Sequence, residues 1–482
     1  MARIVVIGGG LIGFATALMV AKQGHDVTIL ERDPAPPPGT PGEAWDHWKR
    51  QGVMQFRQPH YLLPQGLRVL EEHLPEMACA IRDAGAVPHT ILSALPPGIT
   101  DRAPRPDDGK FLTRTARRPV LEQAMAGAAG TLVDVRRGAR VTGLLTTRSR
   151  QVTGVRLHNN TELHADLVID AMGRGSPLPV WLDAAGLYEV AERADDAGFT
   201  YYSRFFRARS GEAPPAPLTG TVTSFDCYDI LTAPADAGTW SVTVSIHSRD
   251  RALRRLRDER NWTRLVRESP LHAHLVDGEP ITGVLAAGAT VNRIRAIVRA
   301  GVPVATGVLS VGDAWACTNP TLGRGMTLGL MHAAIVAEAV ADHVKDPFTL
   351  ALEYDRLTRQ RLLPWYRNTV YLDNQRIAEV AAVIQGRSPS QDGPDLAGAP
   401  LRDLLAAMTW DADVFRAFQE MIAMLAPPQE IMSRPGLAQK IAEAASANTG
   451  APANTGAPAN AGGRDTWTAP GPTRTEVLKM LS

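Results

Sequence analysis

The stretch Arg3-Ile4-Val5-Val6-Ile7-Gly8-Gly9-Gly10-Leu11-Ile12-Gly13 decides the fold of this 482-residue chain. Its first five residues predict a buried β-strand, and an apolar helix that continues to about Gln23 follows the glycines. A second apolar stretch, Asp26 to Leu30, predicts another strand and ends on Glu31. Glycines in the spacing G-x-G-x-x-G between a strand and a helix, followed by an acidic residue after the next strand, are typical of a dinucleotide-binding βαβ unit.

Each part of this motif has a physical role in binding a dinucleotide. We expect Gly8 to permit the tight turn and Gly13 to permit close packing of the helix on the strand. Gly10 lets backbone N–H groups approach a pyrophosphate at the helix N-terminus, and Glu31 is expected to accept hydrogen bonds from both ribose hydroxyls. The residues predicted to bind the adenosine diphosphate half are Gly8, Gly10, Leu11, Ile12, Gly13, Glu31 and Arg32. The motif alone does not distinguish NAD from FAD.

The composition is that of an ordinary globular enzyme of two or three domains. Hydrophobic residues make up 44% of the chain and the formal net charge is +1, which argues against a nucleic-acid partner. Cys79, Cys227 and Cys317 show no paired spacing, so neither a disulfide framework nor a structural zinc site is expected. No metal-ligand spacing such as His-Glu-x-x-His is present, and we predict no metal site.

Hydropathy predicts no transmembrane segment. No apolar run reaches the roughly 18 residues that span a bilayer. The nearest run, Leu328 to Val340, contains His332 and Glu338 and therefore predicts a core helix. The first predicted strand begins at residue 3, which argues against a signal peptide, and a cytoplasmic location is the simplest expectation.

A second strand–loop–helix motif lies more than 300 residues further along. The apolar strand Val308–Val311 runs into Gly312-Asp313, and a Gly-x-Gly segment then precedes a helix from about Thr327. A carboxylate at a strand end offers acceptors to sugar-like hydroxyls, whereas glycines leave room for a planar ring. The N-terminus of the helix can stabilise negative charge on a reduced flavin.

Together, the two motifs resemble those of flavoprotein monooxygenases of the para-hydroxybenzoate hydroxylase type. The resemblance implies FAD as the cofactor, with Asp313 on its ribityl chain and the later glycines near the flavin ring. It also implies that Arg118, which precedes Pro119-Val120-Leu121, lies against the FAD phosphates. The residues that the resemblance adds to the site are Arg118, Gly312, Asp313, Pro320, Gly323, Gly325 and Met326.

Two further segments are similar to polyether-type epoxidase-like members of this superfamily. Around Gly52-Val53-Met54-Gln55 the similarity implies that Arg57 or His60 approaches the flavin. The middle motif has Met172-Gly173, where the hydroxylases usually have an Asp-Gly pair whose aspartate is linked to FAD and NADPH handling. The source of electrons therefore stays open between direct reduction by NADH or NADPH and delivery through a separate flavin reductase.

The predicted fold is α/β, with a discontinuous Rossmann-like FAD-binding domain, an inserted antiparallel sheet domain and a C-terminal helical region. The strands Phe199–Ala208 and Thr239–Ile246 suggest the inserted sheet, and the second of them alternates so strictly that we expect one solvated face. The predicted domains are an FAD-binding domain (1–45, 105–190 and 290–345), a substrate or cap domain (46–104 and 191–289), a helical region (346–445) and a low-complexity, disordered tail (446–482).

The resemblance implies an FAD-dependent monooxygenase that inserts one oxygen atom from O2 into a bulky apolar substrate, by epoxidation or hydroxylation through a flavin hydroperoxide. The cofactor then carries the chemistry, and no catalytic side chain is assigned. One alternative is an FAD-dependent reductase or dehydrogenase similar to geranylgeranyl-reductase-like proteins. Another is a flavin-binding protein without catalytic activity.

Overall fold

The computed structural model describes residues 1–96, 98–130, 132–288, 290–387, 395–396, 399–450 and 469–482. These residues form two compact units. The first unit comprises Met1–Ala86, Ala116–Asp196 and Val291–Val370, and the second comprises Val87–Thr115, Ala197–Thr290 and Tyr371–Ser482. Unlike the predicted cofactor domain, the first unit includes residues 46–86, because the helix Pro64–His73 packs on the helix Gly325–His343.

A parallel sheet forms the centre of the first unit. Its strands, in spatial order, are Val308–Ser310, Leu167–Asp170, Arg3–Ile7, Asp26–Glu31 and Asp134–Arg137. Neighbouring strands are parallel throughout, with Ile4 opposite Val27 on one side and Leu167 on the other. Because the carboxyl ends of parallel strands lie at one edge, this order brings Ile7, Glu31, Asp170 and Ser310 to the same edge. The predicted Rossmann-like arrangement is confirmed.

Helices and small antiparallel sheets complete the first unit. The two apolar helices Leu11–Ala21 and Gly325–His343 pack on each other. The remaining helices are Pro41–Asp46, Pro64–His73, Pro75–Asp83, Arg118–Ala128, Leu178–Ala184, Pro347–Arg361 and residues 363–370 of Leu363–Ile384. The antiparallel strands are Val141–Thr146, Val152–Leu157 and Glu162–His164; Ala191–Asp196, Val291–Ala296 and Ala316–Cys317; and Val298–Arg299 with Val302–Pro303. The sequence from Pro347 to Arg387 is helical in pattern, and Pro364 predicts a kink or an interruption in it. The interruption occurs at Leu362, between the helices Pro347–Arg361 and Leu363–Ile384.

The second unit is built around an antiparallel sheet, as expected for the inserted segment. Its strands are Val222–Ser224, Tyr228–Ala235, Thr239–His247, Phe199–Arg207 and Glu279–Pro280, with Leu285–Ala287 beside Phe199–Arg207. Shorter pairs are Val87–Thr90 with Leu112–Thr115 and Asp395–Leu396 with Ala399–Pro400. The helices are Glu259–Arg267, residues 371–384, Leu401–Ala407, Ala412–Ile422, Pro428–Met432, Leu437–Gly450 and Arg474–Leu481.

The prediction that one face of Thr239–His247 is solvated is wrong. All nine residues of this strand are buried. The face opposite Trp240 and Val242 is polar instead, and three of its four hydroxyls have internal partners, as when Thr243 donates a hydrogen bond to Ser203 at 2.8 Å; among the described residues, the Ser245 hydroxyl is the exception. Strict alternation therefore reflects a polar but buried face, which the sequence pattern cannot distinguish from a solvent-exposed face.

The prediction of a structureless tail is also wrong at its end. Thr473 forms a capping box with Glu476 and starts the helix Arg474–Leu481, whose Val477 is 0% exposed within the core of the sheet. Before this helix the sequence repeats Asn-Thr-Gly-Ala-Pro-Ala at residues 448–453 and 454–459, and these positions lie largely outside the described residues.

One described helix, Gly325–His343, is long and apolar enough to cross a membrane by length and composition. The expectation that no segment reaches this length therefore needs correction. However, 67% of its apolar window is buried inside the fold, so the predicted core helix accounts for the same composition.

Candidate cofactor site

The glycine turn at residues 8–13 has the geometry that its sequence predicts. Gly8 has φ +109°, and a Cβ there would lie 2.6 Å from the Ala171 carbonyl oxygen. A Cβ on Gly13 would lie 1.9 Å from the Gly8 oxygen, so neither position accepts a side chain. A Cβ on Gly10 would meet nothing within 4 Å, and the helix that starts after Gly10 has no side-chain cap. Open space therefore adjoins uncapped N–H groups, which suits a phosphate.

The Glu31 carboxylate closes this turn from the end of the second strand. Its Oε2 accepts hydrogen bonds from Gly9 N at 2.8 Å and Arg50 Nη2 at 2.7 Å, and its Oε1 accepts one from Asp33 N at 2.8 Å. A carboxylate has about four acceptor positions. One position therefore remains for a ribose hydroxyl, whereas the sequence suggested contacts with both. Arg32 is exposed, and its side chain lies over Gly52. A Cβ on Gly52 would lie 1.6 Å from Arg32 Nη2.

Arg50 is a site residue that the sequence did not single out. Its side chain is 5% exposed and pairs with Glu31 at 2.7 Å, with Asp33 at 2.8 Å and with Glu122. Burial opposes its charge, but these carboxylates outweigh burial and raise the pKa of Arg50. Lys49 directly precedes Arg50, and the sequence does not show which of these two cations is buried.

Arg118 begins the helix Arg118–Ala128 and contacts the predicted flavin-facing histidine. Arg118 Nη1 donates to His60 Nε2 at 2.6 Å, and His60 Nδ1 lies 2.9 Å from the Gln58 oxygen. Burial and the Arg118 cation lower the pKa of His60 to about 3, so the ring is neutral. Arg57 instead contacts the backbone oxygens of Trp45 and Trp48.

The second motif meets the first through Ile12. A Cβ on Gly312, where φ is +61°, would lie 3.3 Å from Ile12 Cγ2. A Cβ on Gly329 would lie 2.5 Å from Ile12 Cδ1, so Gly329 is a further glycine that this close packing requires. The two glycine motifs, far apart in sequence, therefore occupy one site. Leu11 is 3% exposed and packs inward.

Asp313 lies at the sheet edge with a free carboxylate. It is half-buried, and among the described residues it makes neither an ion pair nor a side-chain hydrogen bond. Burial raises the pKa of Asp313, while Arg118, Arg174 and Arg293 act in the opposite direction. A carboxylate that retains all its acceptor positions is what the hydroxyls of a ribityl chain require.

The segment that follows Asp313 leaves little side-chain bulk near it. A Cβ on Gly325 would lie 3.9 Å from Asp313 Oδ1, and Gly323 has φ +64°. Pro320 starts a short 3-10 turn and is exposed, whereas Met326 is 9% exposed. Between the two glycines, Arg324 is fully buried and donates to Asn368 Oδ1 at 2.7 Å, an anchor that the sequence pattern did not reveal.

The middle motif is held by Asp170. Asp170 Oδ1 accepts a hydrogen bond from Met172 N at 3.0 Å, and Oδ2 accepts one from Ser176 Oγ at 2.5 Å. Burial raises the pKa of Asp170 to about 6. Cys317 is 2% exposed, and burial raises the pKa of its thiol to about 11, as expected for a packed small residue.

The residues present therefore fit FAD. An open glycine turn, one remaining acceptor on Glu31 and the free carboxylate of Asp313 lie in one unit. A family model described as FAD-dependent oxidoreductase matches residues 3–342. This chain belongs to the FAD-dependent oxidoreductase family.

This FAD-dependent oxidoreductase is also similar in sequence to two curated proteins. It is 26% identical over 388 residues to protein Rv3254 of Mycobacterium tuberculosis, covering 76% of this chain and 79% of that protein. It is 27% identical over 209 residues to the chloroplastic zeaxanthin epoxidase of Solanum lycopersicum, covering 42% of this chain and 28% of that enzyme.

Its fold is similar to that of PqsL, a probable FAD-dependent monooxygenase from Pseudomonas aeruginosa. The TM-score is 0.59 with 17% sequence identity, over 80% of this chain and 99% of that chain. At this identity the similarity concerns the fold alone. It agrees with the para-hydroxybenzoate hydroxylase-like architecture that the motifs of this FAD-dependent oxidoreductase suggested.

Proposed function

We propose that this FAD-dependent oxidoreductase is a monooxygenase that transfers one oxygen atom from O2 to a small organic substrate with a large apolar part. The proposal rests on one contrast at the site: a carboxylate is free to bind a ligand, whereas the titratable groups that could act as a base or a nucleophile are neutral. The Asp313 carboxylate is free to bind, whereas His60 and Cys317 are held uncharged by their surroundings. The protein thus supplies a framework rather than a nucleophile.

When bound, FAD would carry the electrons and react with dioxygen. Gly8, Gly10 and Glu31 would hold its adenosine half, with Arg118 against the phosphates. Asp313 would bind the ribityl hydroxyls, and Gly323 and Gly325 would leave room for the ring. The neutral His60 keeps a proton on Nδ1, since Arg118 donates to its Nε2.

Epoxidation is the favoured outcome over hydroxylation. Support comes from the local similarity to zeaxanthin epoxidase and from the segment around Gly52 and His60, which resembles epoxidase-like flavoproteins. We further propose that NADH or NADPH is the ultimate electron donor, directly or through a separate flavin reductase. Met172, in place of the usual aspartate, favours the indirect route.

Reconstitution and rapid kinetics test this function. The protein purified with FAD should be yellow, and its reduced form should consume O2 in proportion to an oxygenated product. Flavin binding with substrate reduction and no O2 uptake would favour a reductase, and flavin binding without any turnover would favour a binding protein. Mixing the oxidised holoenzyme with NADH or NADPH, with and without a flavin reductase, identifies the donor. Failure to bind FAD at micromolar concentration would overturn the proposal.

A further inference from the structure

Arg293, beside the Asp313 loop, is buried without a carboxylate of its own. It is 9% exposed, and its Nη2 donates to the backbone oxygens of Arg174 at 2.8 Å and Asp313 at 3.2 Å. Its Nε is buried and makes no hydrogen bond within the described part of the chain. Glu192 Oε2 lies 4.0 Å from Arg293 Nε, but this oxygen already accepts a hydrogen bond from Arg295 Nε at 2.8 Å.

Arg174 follows Met172 in the short turn Gly173–Gly175 and is in a similar situation. Its Nη2 lies 3.7 Å from Cys317 Sγ, and no carboxylate oxygen of the described residues is within 4.0 Å of its guanidinium. Because the thiol of Cys317 stays protonated at neutral pH, it does not balance this cation. Two guanidinium groups therefore adjoin one loop with little compensating charge.

The local charge is accordingly positive. Asp313 is the acidic side chain on this loop, and it is also influenced by Arg118. Burial and the neighbouring Arg295 lower the pKa of Arg293, which means that its charged form is disfavoured where it stands. A buried cation is normally paired or hydrogen-bonded through all its donors. An anion between Arg174 and Arg293 would meet both requirements.

We propose that Arg174 and Arg293 bind an anionic oxygen group, such as a carboxylate or enolate, on the organic substrate. This inference rests on the proposed function and refines it, because the substrate would then be amphipathic rather than purely apolar. The phosphates of the cofactor have the same chemistry. They already have the uncapped helix start after Gly10 and Arg118, which leaves Arg174 and Arg293 for a different ligand.

Benzoate serves as the anionic probe and benzamide as its neutral match. In the FAD-loaded protein, benzoate should perturb the flavin absorbance spectrum saturably, and benzamide should not. Arg174→Gln should weaken the benzoate effect by about tenfold or more, the size expected for losing a charge-assisted hydrogen bond. The matched control is Arg148→Gln, which removes an exposed arginine of the same unit.

Two further measurements separate the sources of the anion. If the site is for substrate, Arg174→Gln should leave the dissociation constant of FAD within about twofold of the parent value. If FAD binding weakens tenfold and benzoate has no effect, the arginines serve the cofactor and the proposal is overturned. Arg293→Gln is the second variant, with its melting temperature as a check on folding.

The apoprotein provides the arm that does not depend on the proposed function. Benzoate should raise the melting temperature of the parent apoprotein and of Arg148→Gln, but not that of Arg174→Gln. This result would support the anion site even if FAD did not bind. Benzoate is added up to about 50 mM, which is on the order of the dissociation constant of a weak site. Equal stabilisation of all three proteins, or no stabilisation of any of them, would overturn the inference.

Discussion

The Arg50 guanidinium contacts the Glu122 carboxylate inside the cofactor unit, and the two side chains are 5% and 0% exposed. The same guanidinium also pairs with buried Glu31 and partly buried Asp33, and Arg118 is a second cationic partner of Glu122 at 3.3 Å. Removing one partner of a buried ion pair is far more costly than never having had the pair, because the other charge stays buried.

Arg50→Met should therefore destabilise the protein strongly. We expect the free energy of unfolding to fall by about 3–5 kcal/mol, measured by urea denaturation of the apoprotein. Arg136→Met is the matched control, since Arg136 and Asp134 form a pair in which both side chains are about half exposed. That variant should lose less than about 1 kcal/mol. Equal small losses in both variants would contradict a tight buried network.

Gly10→Ala and Gly13→Ala should separate cofactor binding from stability. A Cβ on Gly10 meets no atom within 4 Å, so Gly10→Ala should fold with an unchanged apoprotein melting temperature. Its dissociation constant for FAD should nevertheless rise at least about tenfold, because the methyl group fills the space for the pyrophosphate. Gly13→Ala should unfold at a lower temperature, since its Cβ would overlap the Gly8 oxygen. Unchanged FAD affinity in Gly10→Ala would place the cofactor elsewhere.

Asp170 gives the stability a definite pH dependence. Its folded-state pKa of about 6 is raised by burial, so the folded state retains a proton that the unfolded state has already lost. The stabilising effect of the protonated form is complete below about pH 4 and disappears as the pH rises through 6. Relative to Asp170→Asn, the parent should lose roughly 2–3 kcal/mol between pH 4 and 7. Parallel stability curves for the two proteins would show that this carboxyl is not desolvated.

His60 should remain neutral across the physiological range. Because burial and Arg118 lower its pKa to about 3, its ring resonances should not shift between pH 5 and 8 in NMR spectra of histidine-labelled protein. The nitrogen shifts should show the proton on Nδ1. The His60 resonances are identified by their absence in the spectrum of His60→Gln. A His60 titration near pH 6.5 would mean that the contact with Arg118 is absent.

The helix Arg474–Leu481 should contribute to the stability of the second unit. Val477 is 0% exposed in the core of the sheet, so Val477→Ala should lower the free energy of unfolding by about 2 kcal/mol. Thr475→Ala, at an exposed position of the same helix, should change it by less than about 0.5 kcal/mol. If both variants unfolded alike, the helix would not be packed on the sheet.

Local patterns predicted what depends on local geometry. The strand–glycine–helix unit, the acidic residue after the second strand and the Gly312-Asp313 motif could all be recognised, because turns and helix starts constrain nearby residues. The break near Pro364 followed from the missing N–H of proline. These features explain why the parallel sheet and the family were predictable.

Long-range contacts were not predictable from the sequence. Nothing near Arg50 indicates that it reaches Glu122, and the burial of Arg324 follows from Asn368 and Thr369 more than 40 positions away. The polar face of Thr239–His247 appeared solvated because periodicity reports polarity and not exposure. The terminal helix was missed because the Asn-Thr-Gly-Ala-Pro-Ala repeat before it suggested a tail without structure.

The order of strands in the parallel sheet has a consequence for biosynthesis. Leu167–Asp170 pairs with Arg3–Ile7 on one side, but its other neighbour, Val308–Ser310, leaves the ribosome much later. At about 5–20 residues per second, the intervening chain takes roughly 7–28 s to synthesise. During that interval the hydrogen-bonding edge of Leu167–Asp170 is open, and open edges pair with foreign strands. A lower growth temperature or co-expressed chaperones should therefore raise the yield of folded protein.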